Sequence, residues 1–164
     1  DQLMRDALRL VRGQLTDEVD SEDVAEGLKR LDESLLKLQE CAHRNWNNTL
    51  FYPSAYETDY ADMRSGQAIV LRHISSCEEL LERIPKQAEK VAKLLERVEA
   101  EYTRENTVES LLDHMEEVYA YMRQEHLPVT REEFESRAVL FYVLKQIEEF
   151  LRIKREFILK KEKM

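Results

Sequence analysis

The sequence predicts an all-α fold, an antiparallel helical bundle of five or six helices. Three observations point there. Apolar residues recur at steps of three and four through nearly the whole chain. Gly and Pro number three each in 164 residues, too few turn formers for a β-sandwich or barrel of this length. Charged residues make up 36%, above the usual ~25% and suited to long helices with solvated faces. A chain this long forms one domain over residues 1–164 and can bury roughly two-thirds of its unfolded surface.

The first helix covers residues 1–18, with Met4, Leu8, Val11 and Leu15 on one stripe and Leu3 and Ala7 beside it. The acidic run from Thr16 to Asp23 supplies a cap for the next helix at Asp20 or Ser21. That helix reaches Asn47, and Val24, Leu28, Leu31, Leu35, Leu38 and Ala42 form a seam of the coiled-coil type. Gly27 weakens it locally by ~1 kcal/mol relative to Ala, less than the pattern supplies.

Asn47, Asn48 and Pro53 mark a connection over residues 47–57. It belongs to an aromatic cluster of Trp46, Phe51, Tyr52, Tyr56 and Tyr60. Such a cluster either plugs one end of the bundle or meets a ligand or partner, since aromatics are favoured in both settings.

The third helix runs from Thr58 to Arg83, and its seam is Tyr60, Met63, Gln67, Val70, Ile74, Cys77, Leu81 and Ile84. Gln67 is its polar member, set either to bond a partner and fix register or to sit at the seam edge in water. Pro85 then starts a new helix or kinks a long one. The stripe resumes at Ala88, Val91, Leu95, Val98 and Tyr102. Asn106 to Glu109 has the form of a capping box, followed by Val108, Leu112, Met115, Tyr119 and Met122 in a helix that ends near Glu125. Thr130 to Glu133 is a second capping box, and Pro128 blocks continuation into it. The last helix extends to about Lys160. Its apolar sector is broad, spanning Phe134, Ala138, Phe141, Leu144, Leu151 and Ile158 with Leu140, Val143, Ile147, Phe150 and Phe157, as expected of a central helix with two or three neighbours.

Little in this pattern points to catalysis, a cofactor or a metal. A carboxylate-bridged di-metal bundle needs Glu-x-x-His on two helices, and Glu40-Cys-Ala-His43 is a lone match. There is no Gly-rich phosphate loop, HExxH or GxSxG. Cys41 and Cys77 lie far apart at or beside apolar positions and read as buried, reduced thiols rather than a disulfide. The net charge of −9 disfavours broad nucleic-acid binding. No apolar run approaches the ~20 residues of a membrane span, there is no signal peptide, and the chain opens on Asp1 rather than Met, as a fragment or processed chain would.

The stretch from Arg152 to Met164 is basic on this acidic protein, with six basic residues against two acidic. It complements a helix C-terminus or attracts an anionic membrane surface. Arg64, Arg131 and Arg137, among neighbouring carboxylates, serve either surface ion pairing or fork-shaped anion contact.

Two segments carry a family resemblance. Leu127-Pro-Val-Thr-Arg-Glu-Glu-Phe-Glu-Ser-Arg-Ala-Val-Leu140 with Phe150-Leu-Arg-Ile-Lys-Arg-Glu-Phe157 resembles the cytoplasmic C-terminal domain of bacterial proteins called putative aromatic acid exporters. Tyr60-Ala-Asp-Met-Arg-Ser-Gly-Gln67 is similar to the family's other recognisable segment, with Ala61 where a second aromatic is expected. The resemblance implies a domain excised from a larger membrane protein, at the cytoplasmic face of the bacterial plasma membrane. Its partners would be its own transmembrane domain and other subunits, with a role in exporting small aromatic carboxylic acids. Within that frame Arg64, Gln67, Arg131, Glu135 and Arg137 are expected to form a polar set linking the third and last helices. The alternative is a free-standing adaptor that binds partner helices. A third reading, compatible with the first, is a bundle that senses an aromatic acid.

Overall fold

The computed structural model describes the backbone of residues 1–48 and 55–162, and the side chains of these except residues 45–48 and 55. Among the described residues it has six helices and no strand: α1 (Gln2–Leu15), α2 (Ser21–Asn48), α3 (Ala55–Glu78), α4 (Ala88–Ala100), α5 (Glu109–Gln124) and α6 (Arg131–Glu162).

The α1 stripe of Met4, Ala7, Leu8, Val11 and Leu15 is buried. The helix stops in a Schellman arrangement. Asp17 takes φ 60°, its N–H donates to the Gln14 carbonyl at 3.2 Å, and the Glu18 N–H donates to the Gly13 carbonyl at 2.8 Å. The chain folds back so closely that a Cβ on Gly13 would meet Val19 Cγ2 at 2.5 Å. Asp20 then caps α2, its Oδ1 accepting from the Glu22 and Asp23 amides at 3.1 and 3.0 Å.

Val24, Leu28, Leu31, Leu35 and Ala42 of the α2 seam are buried, while Leu38 keeps 38% exposure. Cys41 is exposed and Cys77 half-buried, so the expectation of two buried thiols is corrected; both are free. Cys41 precedes the seam residue Ala42 and is turned ~100° away from it.

Pro85 separates two helices rather than kinking one. α3 ends at Glu78, five residues short of the expected end at Arg83. The chain turns as the Leu80 and Leu81 amides donate to the carbonyls of Cys77 and Glu78, and the Pro85 carbonyl accepts from Ala88 at 2.9 Å to open the turn before α4. Asn106 does not cap α5. Its Oδ1 accepts from the Val108 amide at 2.6 Å in an Asx turn, Val108 takes the cap position at φ 63°, and Glu109 pairs with Arg155 at 2.9 Å instead of closing a box. Thr130 does cap α6: its Oγ1 accepts from the Glu133 amide at 3.1 Å, while the Glu133 carboxylate reaches back past Thr130 and accepts from Val129 N–H at 2.7 Å.

Core formation is shared among several helices. α3 packs on α1, α2 and α6; α1 also meets α2 and α4; α6 also meets α4 and α5. Leu71, Ile74, Leu94, Leu95, Leu140, Leu144 and Ile147 are almost wholly buried where they converge. The broad apolar sector of α6 is only partly core. Phe134 is 63%, Phe141 41% and Tyr142 52% exposed, because at 100° per residue they point away from Leu140, Leu144 and Ile147. α6 thus has its three neighbours; Tyr119 of α5 meets the Phe141 ring at 5.6 Å, while Phe134 and Tyr142 stay largely exposed.

Candidate functional site

The residue with the most unusual environment is Arg64, one-third of the way along α3. Its side chain is only 3% exposed. A buried guanidinium is costly unless its donors and charge are met. Two phenol rings flank it, with the guanidinium carbon 4.9 Å from the Tyr60 centroid and 4.3 Å from that of Tyr102. Nη1 donates to Gln67 Oε1 at 2.7 Å and Nε donates to the Tyr60 hydroxyl at 3.1 Å. Nη2 lies 3.1 Å from Asp1 Oδ1, an ion pair that lacks hydrogen-bond geometry and leaves Nη2 without an acceptor. The Tyr60 hydroxyl in turn donates to Asp1 Oδ1 at 2.6 Å.

Gln67 passes the arrangement on to α6. It is wholly buried, and its Nε2 donates to the Phe150 carbonyl at 3.0 Å. Of the two roles open to it, register-fixing through a hydrogen bond is the one realised. Arg5 of α1 donates twice to the Tyr102 carbonyl, at 3.1 and 2.7 Å. Lys154 of α6 is buried and donates to the Thr103 carbonyl. Burial, helped by the nearby Arg64 charge, pushes its amine down to about 8, and burial pushes the Tyr102 phenol up. Helices α1, α3 and α6 and the segment just after α4 are thus tied together around Arg64 and Lys154.

Beside Arg64 a groove of about 390 Å³ opens between α1, α2 and α3, walled by Leu3, Met4, Leu31, Leu35 and Leu38. On the far side of Tyr60 the aromatic residues gather. The rings of Tyr56, Tyr60 and Phe157 stand 5.4 to 6.1 Å apart. Arg104 lies over Tyr56 and Tyr60 at 4.8 and 5.0 Å and donates to the Tyr56 hydroxyl at 2.6 Å. Phe51, Tyr52 and the Trp46 side chain lie outside the described residues.

The five-residue polar set does not assemble. Arg64 and Gln67 meet α6 at Phe150, whereas Arg131, Glu135 and Arg137 belong to the opposite end of that helix. Arg137 and Phe150 are ~20 Å apart along its axis at 1.5 Å per residue. Arg131 and Glu135 are exposed, and half-buried Arg137 donates to the His126 carbonyl in the α5–α6 connection. Asp1, Tyr102, Lys154 and Phe157 are the members that sequence reasoning missed. Lys154 carried one usable signal, since it follows Phe150 by four and Leu151 by three and so keeps the phase of the core.

The basic C-terminal run is largely engaged within the domain. Arg152 pairs with Glu148 at 2.5 Å, Arg155 with Glu109 at 2.9 Å and Lys160 with Asp59 at 2.7 Å, while Lys161 lies 5.4 Å from the Tyr56 ring centroid.

Among the described residues the polar centre is thus a buried guanidinium, held by amide, phenol and carboxylate groups, that ties α1, α3 and α6 together. The chain belongs to the family described as the putative aromatic acid exporter C-terminal domain, whose model matches residues 1–155. It is similar in structure to a putative membrane protein from Clostridium difficile 630, known from a crystal structure, with a TM-score of 0.84 and 23% identity over 96% of this chain and 91% of that one. That likeness shows the fold. No curated protein matches the chain in sequence.

Proposed function

We propose that this domain is the cytosolic accessory or regulatory module of a bacterial inner-membrane transporter of the aromatic acid exporter kind, acting without catalysis through subunit association or gating. The family match over residues 1–155 carries the reading. Two observations accord with it. No described helix is long and apolar enough to cross a membrane, so the span would be supplied by another part of the protein. The Asp1–Arg64–Gln67–Phe150 chain of contacts ties the start of α1 to the middle of α6, a route by which a displacement at one reaches the other.

The test begins with the native reading frame upstream of Asp1. Several ~20-residue apolar segments there support the reading. Deletion of residues 1–164 from that protein should then leave membrane insertion intact and change the export rate of aromatic acids. Unchanged export would refute the regulatory role. A start codon immediately before Asp1 would refute the transporter reading as a whole. It would favour an adaptor that presents the exposed Phe134, Phe141 and Tyr142 side of α6 to a partner helix.

A further inference from the structure

We propose that the groove between α1, α2 and α3 binds a small amphipathic anion with an aliphatic body, whose head group replaces the Asp1 carboxylate on Arg64 and Tyr60.

The head site is already built. Arg64 is 3% exposed and its Nη2 has no hydrogen-bond acceptor, although it borders the groove. Asp1 covers it at 3.1 Å out of line, so the strongest donor at the site is neutralised but not bonded. A free carboxylate can align with Nη2 and also accept the hydrogen bond that the Tyr60 hydroxyl now donates to Asp1. Asp1 can leave readily. Its side chain is 39% exposed, and it makes no capping bond to α1. Once displaced, its carboxylate returns to water.

The groove selects the body. Its floor is Met4, Leu31 and Leu35, each under a tenth exposed, and its rims are Leu3 and Leu38, at 38% exposure each. These are unbranched or γ-branched aliphatic side chains and offer no ring face along the floor. Tyr60, the ring at its polar end, is covered by Arg64 on one side and packed with Tyr56 and Phe157. About 390 Å³ lies within the range of small-ligand sites. One charged end on an aliphatic trough fits a medium-length alkyl carboxylate better than a flat ring.

Octanoate is the probe, titrated calorimetrically into the 164-residue chain, with octanol as its uncharged counterpart. Replacing Arg64 would disturb the core through Gln67, so the variants are Asp1→Asn, which removes the internal competitor, and Leu38→Glu, which places charge on the exposed rim. The expected result is saturable octanoate binding that tightens ~10-fold in Asp1→Asn, a difference of ~1.4 kcal/mol, and weakens at least ~10-fold in Leu38→Glu with its melting temperature unchanged. Octanol should bind more weakly than octanoate. The proposal is overturned by absence of saturable binding to wild type and Asp1→Asn at millimolar octanoate. Equal affinity in wild type and Asp1→Asn, unaltered binding in Leu38→Glu, or octanol binding as tightly as octanoate would each overturn it as well.

Discussion

Glu78 should make this domain lose stability as pH rises from mildly acid to mildly alkaline. It closes α3 with 4% exposure, and neither carboxylate oxygen has a hydrogen-bond partner. Burial pushes its carboxyl up from 4.5 to about 9. Ionisation there would also place a negative charge at the negative end of the α3 dipole. Between those two values the folded protein keeps a proton that the unfolded chain has released. The stabilisation is therefore fully present below the unfolded pKa and is lost as pH rises through the folded one. The slope is ~1.4 kcal/mol per pH unit, and the whole window of about 4.5 units is worth at most ~6 kcal/mol. Lys154 acts in the opposite sense, and its window meets that of Glu78 only above about pH 8. Its amine is pushed down from 10.5 to about 8, so its cost is constant below that pH and is relieved above it. Urea unfolding at steps between about pH 5 and about pH 8 thus isolates Glu78 from Lys154. Relative to Glu78→Gln, which cannot ionise, wild type should lose ~1 kcal/mol or more per pH unit, or ~3–5 °C in Tm for a chain of this size. Parallel pH profiles for the two proteins would refute the reasoning.

Gln67→Leu removes the acceptor of an Arg64 N–H and of the Tyr102 hydroxyl in the core, together with the second bond on the Phe150 carbonyl, and should cost ~2–4 kcal/mol in chemical denaturation with an unchanged m-value. Arg137→Ala removes the bond to the His126 carbonyl and should lower stability by ~1 kcal/mol, visible as a Tm drop of ~2–4 °C; unchanged melting would remove any structural role for it. Gly13→Ala should destabilise by ~1–3 kcal/mol despite the better helix propensity of Ala, because its Cβ meets Val19 Cγ2 at 2.5 Å. Val19→Ala in the same chain should recover most of that loss in a thermal melt.

Helical spacing alone was enough to read the bundle. The stripes of α1 and α4, and that of α2 apart from Leu38, are the buried faces found, and Asp20 and Thr130 are the caps that their side-chain chemistry requires. What spacing does not contain is the set of neighbours. It shows that Phe134, Ala138 and Phe141 share a side of α6, but not that this side stays exposed apart from the contact of Phe141 with Tyr119. It puts Cys41 beside a seam without saying on which side the next helix lies. Helix ends after Glu78 and before Glu109 were misplaced because the turns there satisfy their amides with backbone carbonyls and an Asx turn, which leave no periodic trace. The centre of the site was half legible. Gln67 stood out as a polar residue in an apolar seam and Arg64 lay one turn from it. Asp1, Tyr102 and Lys154 come from 35 or more positions away and join them only through the tertiary fold.

The account stands or falls on where this domain resides in the cell. Right-side-out and inverted membrane vesicles carrying the native full-length protein can be treated with trypsin and probed for residues 1–164. The account predicts that the domain is recovered with the membranes and is cleaved only in inverted vesicles, where the cytoplasmic face is outermost. Recovery in the soluble fraction, or cleavage in right-side-out vesicles, would contradict it.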